Sequence, residues 1–150
     1  MVDRFERFSF AISEIYRHWH RIASEEMEKY GLKGPHVVYF ITMLRFPQGL
    51  TSAQLSELCS RDKADVSRAM ALFEEKGFVK RSDSDNRYRA VLTLTKEGRE
   101  AAQKLSQRAS LAVEKGGGGI SKEEREIFYA TLETIAVNLR SVSEEGLPNK

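Results

Sequence analysis

Apolar residues in the first thirty positions of the chain recur at intervals of three and four, with charged residues such as Arg17 and Arg21 between them. This spacing places an apolar stripe along one side of a helix. The stripe consists of Phe5, Phe8, Ile12, Ile15, Trp19 and Ile22. The pattern predicts one long helix that ends near Tyr30, with Gly31 as its C-terminal stop.

The next segment, HVVYFITMLRF, is apolar along almost its whole length. It follows Gly34 and Pro35, and Pro47 and Gly49 stop it, so we predict a short helix here. A helix that is apolar on every side is normally surrounded by other parts of the protein. This helix is therefore expected at the centre of the fold.

Two further short helices follow, and each has its own N-terminal signal. Thr51 and Gln54 have the spacing of a capping box, which predicts that TSAQLSELCS forms a helix. Asp62 is a favourable N-cap for KADVSRAMALFEEKG, and Gly77 supplies a left-handed residue at its end. Only a few residues join the two predicted helices.

A β-hairpin is predicted directly after the second of these helices. Residues 78–81 have the pattern of a strand, and residues 82–86 are a cluster of turn-forming residues. The returning strand has an alternating inward face, made of Tyr88, Ala90, Leu92 and Leu94. Two short helices followed by a hairpin match a winged helix-turn-helix.

Two more helices complete the chain. Thr95 can cap the first, and after the glycines at 116–119 the residues Ser121 and Glu124 form a capping box for the second. The predicted fold is mainly α with a small β-hairpin wing (α+β), in which N- and C-terminal helices flank a winged helix-turn-helix core. The winged domain is expected at 35–94, and the flanking helical region at 1–34 and 95–150.

Composition and charge narrow the class of function. Hydrophobic residues make up 41% of the 150 residues and charged residues 31%, which is typical of a folded soluble domain. The net charge is only +2, but between Lys76 and Arg99 seven basic residues stand against three acidic ones. No apolar run approaches the roughly 20 residues of a membrane span, and the first residues lack the apolar stretch of a secretion signal, so we expect a cytoplasmic protein.

Signals for metals, cofactors and catalysis are weak. The single cysteine, Cys59, excludes an intramolecular disulfide and is expected to be a structural thiol, although nearby Arg61 leaves a thiol-responsive role as an alternative. The three histidines, His18, His20 and His36, do not have the spacing of a metal site. No Gly-rich phosphate loop or nucleophile motif is present. We therefore expect no metal, no cofactor and no enzyme activity.

Residues 55–98, LSELCSRDKADVSRAMALFEEKGFVKRSDSDNRYRAVLTLTKEG, resemble the DNA-binding core of the MarR family, bacterial winged-helix transcriptional regulators. The matching positions are Asp62, Lys63, Val66, Ser67 and Arg68, then 74–79, the wing motif Asp85 and Arg87, and Leu94, Thr95, Glu97 and Gly98. Outside this core the resemblance is architectural, with family helices that build a homodimer. The resemblance implies a homodimeric repressor that binds a pseudo-palindromic operator in double-stranded DNA.

Within this core, the second short helix is expected to enter the DNA major groove. Val66, Ala69, Met70 and Phe73 form its inner stripe, and the candidates for DNA contact on its other side are Lys63, Ala64, Ser67 and Arg68. An ordinary solvated face is the alternative. Thr51 and Ser52 are candidates for a phosphate contact, with plain helix capping as the alternative.

The wing is expected to contact the minor groove and the adjacent phosphates. Arg87 is the candidate for insertion, and the family motif implies that Asp85 orients it. Asn86 lies in the same turn. Arg81 and Arg89 are expected beside phosphates.

The flanking helices carry apolar stripes that a winged core cannot cover fully, so a symmetric second copy is expected to cover them, with packing onto their own subunit as the alternative. The candidates for the dimer interface are Phe5, Phe8, Ile12, Ile15, Phe128, Leu132 and Ile135. The resemblance also implies a small aromatic or phenolic effector. Its candidate pocket residues, for which a place in the core is the alternative, are Tyr16, Trp19, His36, Tyr39, Phe40 and Met43. A winged-helix adaptor that binds protein without specific DNA binding is the alternative function.

Overall fold

The computed structural model describes residues 2–86 and 89–148. Its elements are α1 (Val2–Glu28), α2 (Val37–Leu44), β1 (Leu50–Thr51), α3 (Ser52–Cys59), α4 (Lys63–Glu75), β2 (Val79–Arg81), β3 (Val91–Leu94), α5 (Lys96–Gly116) and α6 (Lys122–Glu145). The predicted fold class, mainly α with a small β wing, is confirmed. The chain forms two compact units, Met1–Ser110 and Leu111–Lys150.

The end of α1 and the start of α2 lie at slightly different residues from those predicted. α1 ends at Glu28, and Gly31 follows in the left-handed region at φ +66°. Before α2, Gly34–His36 form a short 3-10 turn. This turn includes His36, the first residue of the predicted helix, so α2 begins one residue later than predicted. A side chain at Gly34 would meet Ser24 Oγ at 2.5 Å, so the turn runs close against α1.

The caps predicted for α3 and α4 are present. The backbone N–H of Gln54 donates to Thr51 Oγ1 (3.3 Å), and the Gln54 side chain accepts from the Thr51 N–H (2.9 Å). Asp62 Oδ1 accepts a hydrogen bond from the backbone N–H of Asp65 (2.8 Å). These bonds satisfy backbone donors that a helix start leaves without partners, so both helices begin where the sequence indicated.

A tight turn joins α3 to α4. Ser60 adopts the left-handed conformation at φ +50°, which ends α3. Ser56 Oγ donates to the carbonyl oxygen of Arg61 (2.5 Å), and the Arg61 N–H donates to the Ser56 carbonyl (3.1 Å). The end of α3 is therefore closed onto the turn by hydrogen bonds in both directions.

The sheet has three antiparallel strands in the order β1-β3-β2. β2 and β3 are the predicted hairpin, with Val79 opposite Leu94, whereas β1 was not predicted. Two residues are too few to show the alternation of polar and apolar positions that marks a strand in a sequence. Leu50 pairs with Leu92 because the tertiary fold brings these two segments together. Gly49 permits this approach, since a side chain there would lie 2.5 Å from Val91 Cγ1 and the residue has φ +93°.

The core of the first unit is an aromatic cluster beneath α4. The rings of Phe40 and Phe73 are 4.6 Å apart, and Phe78 lies edge-on to Phe40 at 5.4 Å. The largest fully buried side chains are Phe40, Phe73, Met27, Leu55, Met70, Leu92 and Val66. Because α4 contributes three of these, its inner face is fixed by packing, as the sequence predicted.

In the second unit, α6 begins at the predicted capping box. The Ser121 N–H donates to Glu124 Oε2 (2.7 Å), and Ser121 Oγ accepts from the Glu124 N–H (3.2 Å). Hydrogen bonds from the Ser121 backbone N–H and, secondly, from its side chain lower the pKa of the Glu124 carboxyl. None of the residues of α6 is buried, and its exposed apolar side chains include Ile127, Phe128, Tyr129, Val137 and Leu139.

Candidate nucleic-acid interface

One side of α4 is exposed and polar, and the opposite side is buried. Val66, Ala69, Met70 and Phe73 are buried. The four residues proposed for DNA contact, Lys63, Ala64, Ser67 and Arg68, are all exposed. All four lie in the first half of the helix. The N-terminal part of α4 therefore has a side that the protein core does not cover. An α-helix with this arrangement can enter a major groove roughly 12 Å wide.

Arg68 is not isolated on this face. Its Nη2 donates a hydrogen bond to Oδ1 of Asp65, three residues earlier. Asp65 lies in the first turn of α4, where the helix dipole also favours an acidic residue. Its contact with Arg68 is a feature that an i, i+3 spacing of opposite charges could have indicated.

Thr51 and Ser52 lie at the start of α3, and both are half-buried. The Thr51 hydroxyl is occupied by the capping box described above, so its capping role is present in the structure. A phosphate contact by either residue stays a prediction.

The wing strand β2 is tied to α4 by an ion pair. Arg81 Nε donates to Glu74 Oε1 at 2.7 Å, and the two side chains are only 18% and 28% exposed. The sequence placed Arg81 beside a phosphate, but the structure directs its Nε toward the last turn of α4. Since the partners are seven residues apart on different elements, no local pattern indicated this contact.

The tip of the wing lies partly outside the described residues. Arg87, the candidate for minor-groove insertion, and Tyr88 are outside them, so the orienting role of Asp85 stays a prediction. Asp85, Asn86 and Arg89 are exposed. The Arg89 N–H donates to the Asn86 carbonyl oxygen (3.0 Å).

A cavity of about 440 Å³ lies beside α4 in the first unit. Its lining combines cationic and apolar side chains with one carboxylate: Lys33, Pro35, His36, Tyr39, Arg61, Asp65, Arg68, Ala69 and Leu72. Burial, with a smaller effect from Lys33, lowers the pKa of His36. The His36 Nδ1 accepts a hydrogen bond from the Lys33 N–H (3.2 Å). An unprotonated His36 is thereby favoured at the cavity wall.

The residues predicted for a ligand pocket are divided between several environments. His36 and Tyr39 line the cavity. Phe40 and Met43 are buried in the core cluster, because α2 is surrounded on several sides. Tyr16 and Trp19 are exposed on α1 and do not belong to the cavity lining. The structure therefore brings together only two of the six.

Cys59 is buried at the end of α3. Its thiol donates to Thr42 Oγ1 at 3.5 Å, and Thr42 is itself buried. Burial raises the pKa of the Cys59 thiol, against smaller opposing effects of the Thr42 hydrogen bond and Arg61. A protonated buried thiol is a poor nucleophile, which supports the structural interpretation of this residue.

Metal-binding clusters and membrane-spanning helices are both absent from the described residues. No group of three or more His, Cys, Asp or Glu side chains in residues 2–86 and 89–148 is arranged to hold a metal ion. Across that same part of the chain, each helix is too short or too polar to cross a bilayer.

Two helices joined by a tight turn, followed by a hairpin that forms a three-stranded sheet with β1, define a winged helix-turn-helix protein. Residues 30–90 match the family model described as MarR family. The chain is 27% identical over 124 residues to the HTH-type transcriptional regulator PrsX of Escherichia coli, covering 80% of this chain and 74% of PrsX. These findings show a MarR-family segment at residues 30–90, in a chain that is similar to a transcriptional regulator over most of its length.

Solved structures share this fold. A MarR transcriptional regulator from Methanosarcina mazei Go1 superimposes with a TM-score of 0.75 at 22% identity, covering 91% of this chain and 92% of that protein. A MarR-family regulator from Listeria monocytogenes, in complex with 26mer DNA, has a TM-score of 0.78 at 17% identity, with 93% and 95% covered. These relatives are described as regulators rather than enzymes.

Proposed function

We propose that this protein is a homodimeric repressor that acts in the cytoplasm, binds a pseudo-palindromic operator in double-stranded DNA and is released by a small organic anion. The observation that carries the DNA-binding part is the exposed face of α4, made of Lys63, Ala64, Ser67 and Arg68, above a fully packed inner face. A polar helix face that its own core does not use is the feature that a recognition helix requires.

Each of these DNA-contacting residues has a distinct proposed part. Arg68 contacts a guanine edge, Ser67 a neighbouring base or phosphate, and Lys63 a phosphate. Arg87 enters the minor groove with Asp85 as its orienting partner, and Arg89 contacts phosphate. The Glu74 contact supports a different part for Arg81, which is to hold the wing strand against α4.

The dimer is supported by apolar surface on both units. On α1, Phe5 is 70% exposed and Ile15 is 58% exposed, and on α6 Phe128 is 45% exposed. Side chains of this size in two amphipathic helices are costly to leave in water, and a second copy of the chain would cover them. A two-fold dimer would present two α4 helices to half-sites roughly 34 Å apart.

The release by a ligand is supported by the cavity beside α4. Lys33, Arg61 and Arg68 place three cationic side chains around a wall that contains Tyr39 and Leu72. This combination suits a small aromatic carboxylate, whose ring packs on the apolar wall and whose charge pairs with the cations. Since Arg68 belongs to both the cavity and the proposed DNA face, a bound anion would compete with DNA for it.

DNA binding is tested by mobility shift on the DNA upstream of the protein's own gene over a series of salt concentrations. We expect retarded bands whose affinity falls steeply with salt. Arg68→Ala should weaken binding at least about tenfold, whereas Arg21→Ala, which removes an exposed arginine from α1, serves as the matched control. A protein adaptor would give no retarded band at moderate salt, and that result would refute the proposal.

Dimer formation and release by a ligand are tested by separate measurements. Sedimentation at micromolar concentration should give the mass of a dimer, and Ile15→Asp should shift it toward a monomer. A panel of hydroxybenzoic acids should raise the melting temperature and release the DNA, and Arg61→Ala should reduce both effects. If the panel changes neither quantity, ligand release is abandoned while DNA binding stands.

A further inference from the structure

The exposed face of α4 carries an ion pair in which an acidic residue holds an arginine. Oδ1 of Asp65 accepts a hydrogen bond from Nη2 of Arg68. The backbone N–H of Asp65 donates to Oδ1 of the N-cap Asp62 (2.8 Å), so the backbone that carries the acceptor is itself fixed. The side chains of Arg68 and Asp65 are 71% and 46% exposed. Both groups are therefore accessible to a molecule that approaches α4.

This ion pair adds little to the stability of the fold, because exposed pairs of this kind are worth about 0–1 kcal/mol. Its effect on the orientation of the Arg68 guanidinium is larger. The guanidinium has five donors in a rigid plane, and Asp65 engages one of them through Nη2. The remaining donors of Arg68 are thereby confined to a narrower range of directions than in an arginine without such a partner.

The direction of Arg68 matters differently for the two kinds of DNA contact. Bidentate recognition of guanine requires two donors aimed at one base edge, whereas a phosphate can be approached from many directions. A carboxylate beside the arginine also repels phosphates, which opposes binding that does not depend on sequence. A fixed Asp65 thus favours the first contact over the second.

We propose that Asp65 is a positioning residue for Arg68 and sets the sequence specificity of this protein. It directs the Arg68 guanidinium toward a guanine edge in the major groove and opposes its use on phosphates. This inference rests on the proposed DNA-binding function. It differs from a helix-dipole role for Asp65, which would act on stability, and from a general repulsion of DNA, which would act without Arg68.

The test starts from a duplex that the wild-type protein enriches from a random-sequence pool, with a scrambled duplex of the same length as the non-specific probe. The ratio of the two affinities is measured for the wild type, Asp65→Asn, Arg68→Ala and the double variant. Asp65→Asn should lower the ratio about tenfold, which is the discrimination of one bidentate contact. Binding to the scrambled duplex should strengthen, and its salt slope should steepen by about 0.9, because Arg68 becomes available to one more phosphate.

Glu75→Gln is the matched control, since Glu75 is an exposed carboxylate on the same helix and its change removes the same charge. It should leave the affinity ratio as in the wild type. In the Arg68→Ala background, Asp65→Asn should change the ratio no further, and thermal unfolding of all variants should confirm that they fold.

The possible results distinguish a failure of the proposed role of Asp65 from a failure of the proposed DNA binding. If the wild type enriches no duplex, the DNA-binding function falls and the role of Asp65 falls with it. If the wild type enriches a duplex but Asp65→Asn keeps its affinity ratio, only the role of Asp65 is refuted. An equal effect of Asp65→Asn with and without Arg68 would also refute it, because Asp65 would then act as a general charge.

Discussion

The ion pair between Glu74 and Arg81 connects the candidate recognition helix to the wing, and its removal allows a quantitative prediction. Arg81 Nε lies 2.7 Å from Glu74 Oε1, and the two side chains are 18% and 28% exposed. Hydrogen bonds to charged groups contribute about 1.5–3 kcal/mol, and exposed ion pairs about 0–1 kcal/mol. Since these side chains are mostly but not fully removed from water, we expect a coupling energy of about 1.5 kcal/mol, at the lower end of the first range.

The coupling energy is measured with a double-mutant cycle in Glu74→Ala, Arg81→Ala and the double variant, by chemical denaturation at one protein concentration. The cycle isolates this pair from any other contact that either side chain makes. In a chain of 150 residues the coupling corresponds to about 3–6 °C in melting temperature. The control cycle uses Arg21 and Glu25 on α1, a pair at 3.1 Å whose side chains are 76% and 63% exposed. We expect about 0.3 kcal/mol for it.

A Glu74–Arg81 coupling no larger than that of the control pair would refute the reasoning, because partial burial would then add nothing to the bond.

A measurement of DNA binding accompanies the double-mutant cycle. If the pair holds the wing against α4, Arg81→Ala and Glu74→Ala should weaken operator binding to a similar extent. A loss confined to Arg81→Ala would instead support a direct contact between Arg81 and phosphate.

Three further predictions concern packing, pH and reactivity. Gly98→Ala should destabilise the fold by at least about 3 kcal/mol in urea unfolding, because its Cβ would lie 1.9 Å from the Phe78 carbonyl oxygen, and a smaller loss would contradict this close approach. The lowered pKa of His36 means that stability is complete above the unfolded value near 6.5 and falls as the pH drops toward the folded value, so His36→Gln should flatten that part of the stability curve relative to His20→Gln. Burial and a raised pKa should make Cys59 react slowly with a disulfide reagent at pH 8 until denaturant is added, and a fast reaction in the native protein would reopen a thiol-responsive role.

The helix boundaries of this protein were predictable because they depend on local chemistry. Thr51, Asp62 and Ser121 cap their helices through side-chain hydrogen bonds to residues three positions later, and such bonds are visible as a spacing in the sequence. Gly77 was predicted from its residue type, since its φ of +77° suits a residue without a Cβ. The inner face of α4 followed from helical periodicity.

The contacts between elements were not predictable in the same way. β1 exists because Leu50 meets Leu92, and Arg81 turns toward Glu74 because folding places β2 beside α4. The cavity has the same origin, since Lys33 and Arg68 come from segments far apart in the chain. Such contacts depend on distances that no local pattern contains.

The sequence by itself therefore determined the order of the helices, their caps, the hairpin and the resemblance of residues 55–98 to a MarR core. Each of these follows from interactions within a few residues or from an alternation of polar and apolar positions. The pair of Asp65 and Arg68 lies within one helix, at a spacing that the sequence contains. Only the tertiary structure decided that Arg81 pairs with Glu74. An arginine is long and flexible, and its partner is chosen by the neighbours that the packed core brings within reach.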